Sequence, residues 1–312
     1  MNIMEKLAAR IRAMKNPTVA GLDTRIEYLP ERFVGEIMPG GIRSFEDAAE
    51  AIYQYNVRLI DALCDMVPSV KVQAAYYEMY GPAGVAAYEK TIRYAKEKGL
   101  IVMADVKRND IGATAACYAN AYIGATDMPL GAQRAFGADI ATINPYLGVD
   151  GVKPFADACR EHGTGIFVLV KTSNPSSGQL QDMRFEDGRT LYEAVADLVE
   201  DWGKETRGES GYSAVGAVVG ATYPQQGTAL RERMPHAFFL VPGYGAQGAT
   251  GADIAGCFDR QGSGAIVNAS RSILCAWKKR EGMAFDAAAR EEAIRMREDL
   301  CGCLRAAGKE IL

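Results

Sequence analysis

The 312-residue sequence predicts a single (β/α)₈ barrel of the α/β class. Short apolar runs recur about eight times, helical patterns separate most of them, and polar residues follow the runs at their C-terminal ends. Alternating strands and helices indicate a parallel sheet, and the count of strands favours closure into a barrel. A doubly wound sheet is disfavoured, because the turn after the first run, residues 21–25, lacks a glycine-rich phosphate loop.

The first helices follow from residue spacing. Apolar residues at helical intervals between Ile3 and Met14 predict an opening helix. Ser44, with Asp47 three residues later, resembles a capping box and predicts a helix that runs to about Met66.

Two later helices also carry terminal signals. A helical pattern from about residue 84 ends at Gly99, a suitable C-cap. Thr190 and Glu193 form a second capping-box pair, and an apolar stripe follows it to Trp202. Between the helices the sequence predicts strands at residues 18–23, 69–73, 100–105, 139–143, 165–170, 214–219, 237–241 and 264–267.

Two segments are longer than a minimal barrel requires. Residues 26–44 extend the first crossover, and residues 174–212 follow the fifth strand. The first part of the second segment, residues 174–189, carries Gly, Ser, Asn and Pro, and long connections of this kind often act as lids. We find no second domain, repeat or low-complexity tract, so residues 1–312 are expected to form one domain.

Composition excludes several classes of partner. A net charge of −4 without a basic block argues against nucleic acid and anionic membranes. The longest uncharged stretch, residues 211–230, contains Gln, Pro, Tyr and Gly, and is better explained by a buried strand with its loops than by a membrane span. Seven cysteines without a C-x-x-C motif are expected to be free thiols, and no apolar leader is visible. We therefore expect a cytoplasmic protein.

Histidine chemistry is also disfavoured. The chain has two histidines, His162 near a predicted helix end and His236 before a predicted strand. Structural roles are favoured for both, which nearly excludes histidine triads and histidine-rich metal sites.

The strongest functional signal is the charge pattern at the end of the third strand. Asp105 and Lys107 are two residues apart, so a regular strand would point both to the same side, and Asp110 follows where the strand should end. Charges are costly in a buried parallel strand unless they are paired. Because the C-terminal strand ends of barrels hold the active sites, the spacing D-x-K-x-x-D indicates an enzyme.

Other strands contribute polar residues at the same end. Individually each has a structural explanation: Asp110 could cap a helix, and Lys71 could extend its ammonium to solvent. Glycines after the seventh strand and Arg271 after the eighth favour phosphate binding, because backbone N–H groups and a guanidinium can surround its oxygens. The remaining candidates are Asp23, Thr114, Lys171, Ser173, Asn174, Gly243, Gln247, Gly248 and Ser270.

Residues 105–114, preceded by Lys71, resemble the signature of the orotidine 5′-phosphate decarboxylase family. Residues 172–174, Pro242-Gly243 with Gln247, and Arg271 fit the same family in the same order. The chain length and the loop at residues 173–177 resemble the longer bacterial form. The D-x-K-x-x-D pattern alone is shared with a wider suprafamily. Related sugar-phosphate decarboxylases and aldolases carry an acid near the position of Lys71, which helps to bind Mg²⁺.

The resemblance implies decarboxylation of orotidine 5′-monophosphate to UMP in de novo pyrimidine biosynthesis, with no metal or organic cofactor. It implies that Lys71, Asp105, Lys107 and Asp110 form an alternating charged catalytic network, with Lys107 protonating C6. It also implies a homodimer in which Asp110 and Thr114 enter the partner subunit's site.

Substrate contacts are implied in the same way. Asp23 and Lys71 would hold the ribose, Ser173 the pyrimidine edge, and Gln247 and Arg271 the phosphate. The expected substrate-binding set is completed by Asn174, Gly243, Gly248 and Ser270.

Three alternatives remain open. The first is a Mg²⁺-dependent sugar-phosphate decarboxylase or aldolase of the same suprafamily, which metal dependence would reveal. The second is a phospho-sugar isomerase or Schiff-base aldolase using Lys107 or Lys171, which borohydride trapping would reveal. The third is a non-catalytic phosphate-binding barrel, which the intact charged set disfavours.

Overall fold

The computed structural model describes residues 1–245 and 248–311, and its described strands close into a parallel barrel. Each strand pairs with the next in chain order, and the last pairs with the first, which confirms the predicted (β/α)₈ fold. The strands are β1 (Thr18–Leu22), β2 (Ser69–Gln73), β3 (Ile101–Arg108), β4 (Ile140–Ile143), β5 (Gly165–Lys171), β6 (Ser213–Val219), β7 (Ala237–Val241) and β8 (Ala265–Ala269).

Helices surround the barrel and cover its strands. Every residue of β1, β4, β6, β7 and β8 is buried, as expected for parallel strands packed on both faces. The helices are α1 (Ile3–Met14), α2 (Glu31–Ile37), α3 (Phe45–Leu63), α4 (Ala75–Glu78), α5 (Gly81–Glu97), α6 (Gly112–Tyr122), α7 (Val149–His162), α8 (Gly178–Gln181), α9 (Leu191–Trp202), α10 (Pro224–Arg233), α11 (Gly251–Ile254), α12 (Arg271–Leu274) and α13 (Phe285–Ala306). Within the described residues, no helix combines the length and apolarity that a membrane crossing needs.

Both predicted capping boxes are confirmed. Ser44 Oγ accepts the amide of Asp47 at 3.1 Å, and the Asp47 carboxylate accepts the amide of Ser44 at the same distance. The Thr190 hydroxyl and the Glu193 carboxylate make the reciprocal bonds at the start of α9. Each box satisfies amide groups that a helix start otherwise leaves unpaired.

The two long segments contain ordered elements. Residues 26–44 include a 3₁₀ turn and α2, and Phe33 of α2 packs edge-on against Tyr55 and Phe285, with ring centroids 5.7 Å and 5.0 Å away. Residues 174–212 include a 3₁₀ turn at Pro175–Ser177, then α8 and α9. The first segment is therefore fixed to α3 and α13 by aromatic packing.

Strand β3 differs from its prediction. It continues to Arg108, and its register with β4 shifts between Ala104 and Arg108. Lys107 lies at the shift with φ +48°, in the left-handed region that non-glycine residues rarely adopt. The backbone thus kinks between Asp105 and Lys107 instead of continuing as the regular strand that the sequence predicts.

Candidate active site

A cavity of about 590 Å³ opens at the C-terminal mouth of the barrel. This volume lies in the range that proteins use to bind small molecules. The predicted site residues that line it are Asp23, Lys71, Asp105, Lys107, Ser173, Asn174, Gly243, Ser270 and Arg271.

Asp105 is the centre of the charged group in this cavity. Its Oδ2 accepts hydrogen bonds from Lys71 Nζ at 2.7 Å and from Gln73 Nε2 at 2.9 Å. Its Oδ1 accepts from Lys107 Nζ at 2.5 Å and from Thr142 Oγ1 at 2.8 Å. Four donors on three neighbouring strands therefore surround one buried carboxylate.

The charges of this group reinforce one another. Burial alone would raise the pKa of Asp105, but the ammonium groups of Lys71 and Lys107 outweigh burial and hold the pKa well below its usual range. Burial likewise opposes the charge of Lys71, yet Asp105 and Asp23 raise its pKa above the usual range. Asp23 Oδ1 lies 3.2 Å from Lys71 Nζ. Asp105 and Lys71 are therefore charged at neutral pH.

Lys107 is placed differently from Lys71. Lys71 is buried, whereas the side chain of Lys107 is 44% exposed and faces the open cavity. The Thr142 hydroxyl accepts the backbone amides of Val106 and Lys107 at 2.9 Å and 3.0 Å while it donates to Asp105. Thr142 thus stabilises the kinked backbone and leaves the Lys107 ammonium between Asp105 and the cavity.

The end of β8 forms another wall of the cavity. Asn268 Nδ2 donates to Ser270 Oγ at 3.1 Å, and Arg271 follows at the exposed rim. Gly21 of β1 makes room for these side chains: a Cβ atom there would overlap Ser270 Oγ and lie 2.9 Å from Asn268 Oδ1. Gly243 also lines the cavity, while Gly248 does not, and the predicted residue Gln247 lies outside the described residues.

The end of β5 supplies a further wall, formed by Thr172, Ser173 and Asn174. Thr172 Oγ1 donates to Asn174 Oδ1 at 2.6 Å, and Thr222 Oγ1 donates to the carbonyl of Ser173 at 3.3 Å. Lys171, an alternative candidate for Schiff-base chemistry, is buried outside the cavity lining and pairs with Asp182 at 2.6 Å.

Asp110 and Thr114 do not line the cavity of their own chain. Asp110 lies on the segment between β3 and α6, where its Oδ1 accepts the amide of Ile111 at 2.8 Å, and Thr114 is exposed on α6. Ile111 is itself 55% exposed, although it is large and apolar. This segment therefore presents both polar and apolar groups to the exterior.

Several cavity residues were not predicted from the sequence. Gln73 follows Lys71 at the strand period of two, and Thr142 is a polar residue in a buried strand, so both carried a recognisable signal. Tyr28 and Tyr76 also line the cavity, but nothing in their local sequence marks them, whereas Tyr244 lies in the glycine-rich turn after β7 that the sequence indicates. Their positions depend on how the connecting segments fold over the barrel.

Metal ligands are not clustered in the described part of the chain. Within residues 1–245 and 248–311, no three His, Cys, Asp or Glu side chains are arranged to hold a metal ion. The two carboxylates that line the cavity, Asp23 and Asp105, are instead bridged by the ammonium of Lys71.

Comparison with known proteins identifies close relatives of this barrel. Residues 45–284 match the family model described as Orotidine 5′-phosphate decarboxylase / HUMPS family. Orotidine 5′-phosphate decarboxylase of Rhodopirellula baltica is 43% identical over 296 residues, covering 95% of this chain and 96% of the relative. The enzyme of the same name from Caldicellulosiruptor bescii is 43% identical over 278 residues, covering 89% and 91%.

Solved structures with a similar fold also include orotidine 5′-phosphate decarboxylases. A putative orotidine 5′-phosphate decarboxylase from Streptomyces avermitilis superposes with a TM-score of 0.79 at 30% identity, covering 97% of this chain and 96% of that one. OMP decarboxylase of Leishmania donovani superposes with a TM-score of 0.69 at 31% identity, covering 95% and 99%. The similarity therefore extends over nearly the whole chain in both sequence and fold.

Proposed function

Since the chain belongs to the orotidine 5′-phosphate decarboxylase / HUMPS family, we propose that it converts orotidine 5′-monophosphate to UMP and CO₂ in pyrimidine biosynthesis. The observation that carries this proposal is the buried Lys71 between Asp23 and Asp105. In the Mg²⁺-dependent alternative an acid is expected near this position. A charged lysine there disfavours a second cation, because two positive charges in a buried site repel each other.

Lys107 is the proton donor in this proposal. The bond between C6 of the pyrimidine and the carboxyl carbon breaks, CO₂ leaves, and the electron pair remains on C6. The ammonium of Lys107 stabilises that carbanion and then transfers a proton to it, after which the neutral amine regains a proton from water. One such pair at ~4 Å with an effective dielectric constant of ~20 contributes ~4 kcal/mol, or about three decades of rate.

Asp105 orients Lys107 and places a negative charge close to the substrate carboxylate. Its hydrogen bonds to four donors keep it ionised and fixed before the substrate arrives. A preorganised charge of this kind needs little rearrangement during the reaction. Asp23 and Lys71 hold the ribose from the opposite side of the network.

The phosphate occupies the wall formed by the ends of β7 and β8. Gly243 and Ser270 line this wall, and Arg271 lies at its rim with a guanidinium suited to bidentate contact. Gln247 and Gly248 complete the phosphate turn in the proposal. Binding energy from the phosphate lowers the barrier at the distant C6 if it is realised fully only in the transition state.

The active form is a homodimer with shared sites. Asp110 and Thr114 lie outside their own cavity, on a segment that also exposes Ile111. Tyr146 and Leu147, between β4 and α7, and Val149, the first residue of α7, are exposed and apolar as well. A two-fold interface over this surface would bury these groups and bring Asp110 and Thr114 to the partner's cavity.

We place the enzyme in the cytoplasm, with a small-molecule substrate and without nucleic-acid or membrane partners. All seven cysteines are free thiols in the structure, and the net charge is −4. Free thiols are typical of a reducing compartment, and a negative surface repels polyanions.

The direct test is the loss of orotidine 5′-monophosphate absorbance with purified protein. We expect turnover that persists after treatment with EDTA. Turnover abolished by EDTA and restored by Mg²⁺ would favour the metal-dependent sugar-phosphate lyase instead. Borohydride inactivation that requires substrate would favour a Schiff-base enzyme.

A further inference from the structure

Lys171 is a buried charge that the decarboxylation mechanism does not use. It is the last residue of β5, and its side chain is 1% exposed. Its Nζ lies 2.6 Å from Asp182 Oδ1 and over the rings of Tyr192 and Tyr223, at 5.2 Å and 5.3 Å from their centroids. The ammonium therefore sits between two aromatic rings and one carboxylate.

Asp182 comes from the connection that follows β5, immediately after α8. Its side chain is 45% exposed, so water can solvate the carboxylate if the connection moves away. Lys171 has no such option in its buried position, and an unpaired buried ammonium is costly. The energetic penalty of separation therefore falls on the lysine and opposes movement of the connection.

A second attachment lies beside the first. Gln181 Oε1 accepts the amide of Thr172 at 3.0 Å, and Gln181 Nε2 donates to Thr172 Oγ1 at 2.8 Å. Residues 171–172 are thus joined to residues 181–182 by an ion pair and two hydrogen bonds. We call these four residues, Lys171, Thr172, Gln181 and Asp182, the β5 clamp.

The clamp is continuous with the cavity wall. Thr172 Oγ1 also donates a 2.6 Å hydrogen bond to Asn174 Oδ1, which links the clamp to the cavity wall. On the other side, Gly220 packs so closely that a Cβ there would lie 2.8 Å from the amide nitrogen of Ser173. Ser173 is therefore held between the end of β6 and the clamp.

We propose that Lys171, Gln181 and Asp182 are positioning residues that hold Ser173 and Asn174 at the mouth of the barrel before the substrate binds. The catalytic part of this inference rests on the proposed function, because Ser173 and Asn174 are there assigned to the substrate. The clamp itself is a property of the free protein and does not depend on the proposed function. It fixes a wall of the cavity that would otherwise have to order during binding, at a cost in conformational entropy.

The test uses two variants and a matched control. Lys171→Met removes the ammonium and leaves an unbranched side chain that packs well against aromatic rings, while Asp182→Asn keeps the shape and removes the charge. Lys153 and Asp157 on α7 form an ion pair with the same 2.6 Å distance, but both side chains are well exposed. Lys153→Met therefore controls for the loss of one exposed ion pair, and Asp157→Asn, which also removes the exposed pair of Asp157 with Arg160, controls for the loss of two.

Hydrogen–deuterium exchange of the free protein measures the clamp without substrate. We expect both clamp variants to exchange faster across residues 172–182, while peptides from β1 to β4 remain unchanged. The two control variants should match the unaltered protein throughout. Unchanged exchange across residues 172–182 in both clamp variants would overturn the proposal.

Kinetics test whether the clamp acts through the cavity wall. We expect Asp182→Asn to lower kcat/KM for orotidine 5′-monophosphate on the order of ten- to a hundredfold. In a protein that already carries Ser173→Ala and Asn174→Ala, the same substitution should cost little more. An undiminished loss in that background would show that the clamp does not act through these residues.

The two proposals can fail separately. If the unaltered protein does not turn over orotidine 5′-monophosphate, the proposed function is wrong, and exchange across residues 172–182 still decides whether the clamp exists. If turnover is normal and exchange is insensitive to both clamp variants, only the clamp is wrong.

Discussion

Lys107 carries two properties that can be separated by substitution. Its ammonium is the proposed proton donor, and its backbone has φ +48°. Lys107→Ala and Lys107→Gly both remove the ammonium, so kcat should fall by at least about three decades in each. Glycine adopts the left-handed conformation at little cost, so the glycine variant should be more stable than the alanine variant by about 1 kcal/mol.

Denaturant unfolding and absorbance kinetics on the same two variants check both parts. Near-normal turnover by either variant would contradict the role of Lys107 as the proton donor. An alanine variant as stable as the glycine variant would mean that the backbone at position 107 relaxes when the lysine is removed.

Asp105 links stability to pH. Its pKa is held below the usual range, so its contribution to the free energy of unfolding is complete above the unfolded pKa of about 3.9 and is lost as pH falls through the lower folded pKa. In that window each additional proton bound on unfolding contributes about 1.4 kcal/mol per pH unit to the slope. Asp105→Asn cannot take up this proton. Its free energy of unfolding should therefore fall less steeply below about pH 4 than that of the unaltered protein.

Urea unfolding measured at several pH values between 2 and 6 gives the two slopes. The comparison concerns slopes, so it holds even though Asp105→Asn leaves two ammonium groups without their shared carboxylate and is less stable at every pH. Equal slopes would mean that Asp105 takes up no additional proton on unfolding, which would contradict its lowered pKa in the folded protein.

At the scale of elements, the packing between β1 and the end of β8 depends on the absence of a side chain at Gly21. A Cβ at Gly21 would overlap Ser270 Oγ, so Gly21→Ala should destabilise the protein by about 1–3 kcal/mol and weaken UMP binding. Gly35→Ala on α2 is the matched control, because a Cβ there meets nothing within 4 Å and alanine favours a helix.

Thermal unfolding and UMP titration measure both effects. Adding Ser270→Gly to Gly21→Ala removes the overlapping atoms and should restore most of the lost stability, although not the phosphate contact. If the double variant is no more stable than Gly21→Ala alone, the overlap at Ser270 is not the cause.

The sequence predicts the elements well where their signals are local. The strands at residues 69–73 and 237–241 match the observed bounds, and the two capping boxes begin α3 and α9 as expected. The prediction of β3 is incomplete, because the alternation of residues along a strand does not reveal that Lys107 has a left-handed backbone conformation. Thr142 of β4, which is distant in the sequence, stabilises that conformation through hydrogen bonds to the backbone. Contacts between segments distant in the chain, such as Tyr28 at the cavity, have no local signal.

At the scale of the whole molecule, the proposed dimer predicts complementation. Lys107→Ala and Asp110→Ala should each be nearly inactive alone. In a heterodimer of the two, one site carries both substitutions and the other carries neither, because a two-fold axis pairs the two chains in this way. Up to about half of the heterodimer's sites should therefore regain activity.

Mixing the two variants under conditions of subunit exchange tests this directly. Native mass spectrometry verifies that heterodimers form, and absorbance kinetics measures their turnover. Heterodimers without recovered activity would mean that Asp110 serves the cavity of its own subunit. A protein that remains monomeric would contradict the dimer itself.

The attachment of Asp105 to three strands also constrains how this barrel can diverge in evolution. A single replacement among its four donors leaves a buried carboxylate poorly satisfied and costs on the order of 1–5 kcal/mol. Asn174 and Arg271 are exposed, so mutations there carry little cost in stability. New substrate preferences are therefore expected to arise first at the ends of β5, β7 and β8. Lys71, Asp105 and Lys107, at the ends of β2 and β3, are expected to stay unchanged in proteins that evolve from this barrel.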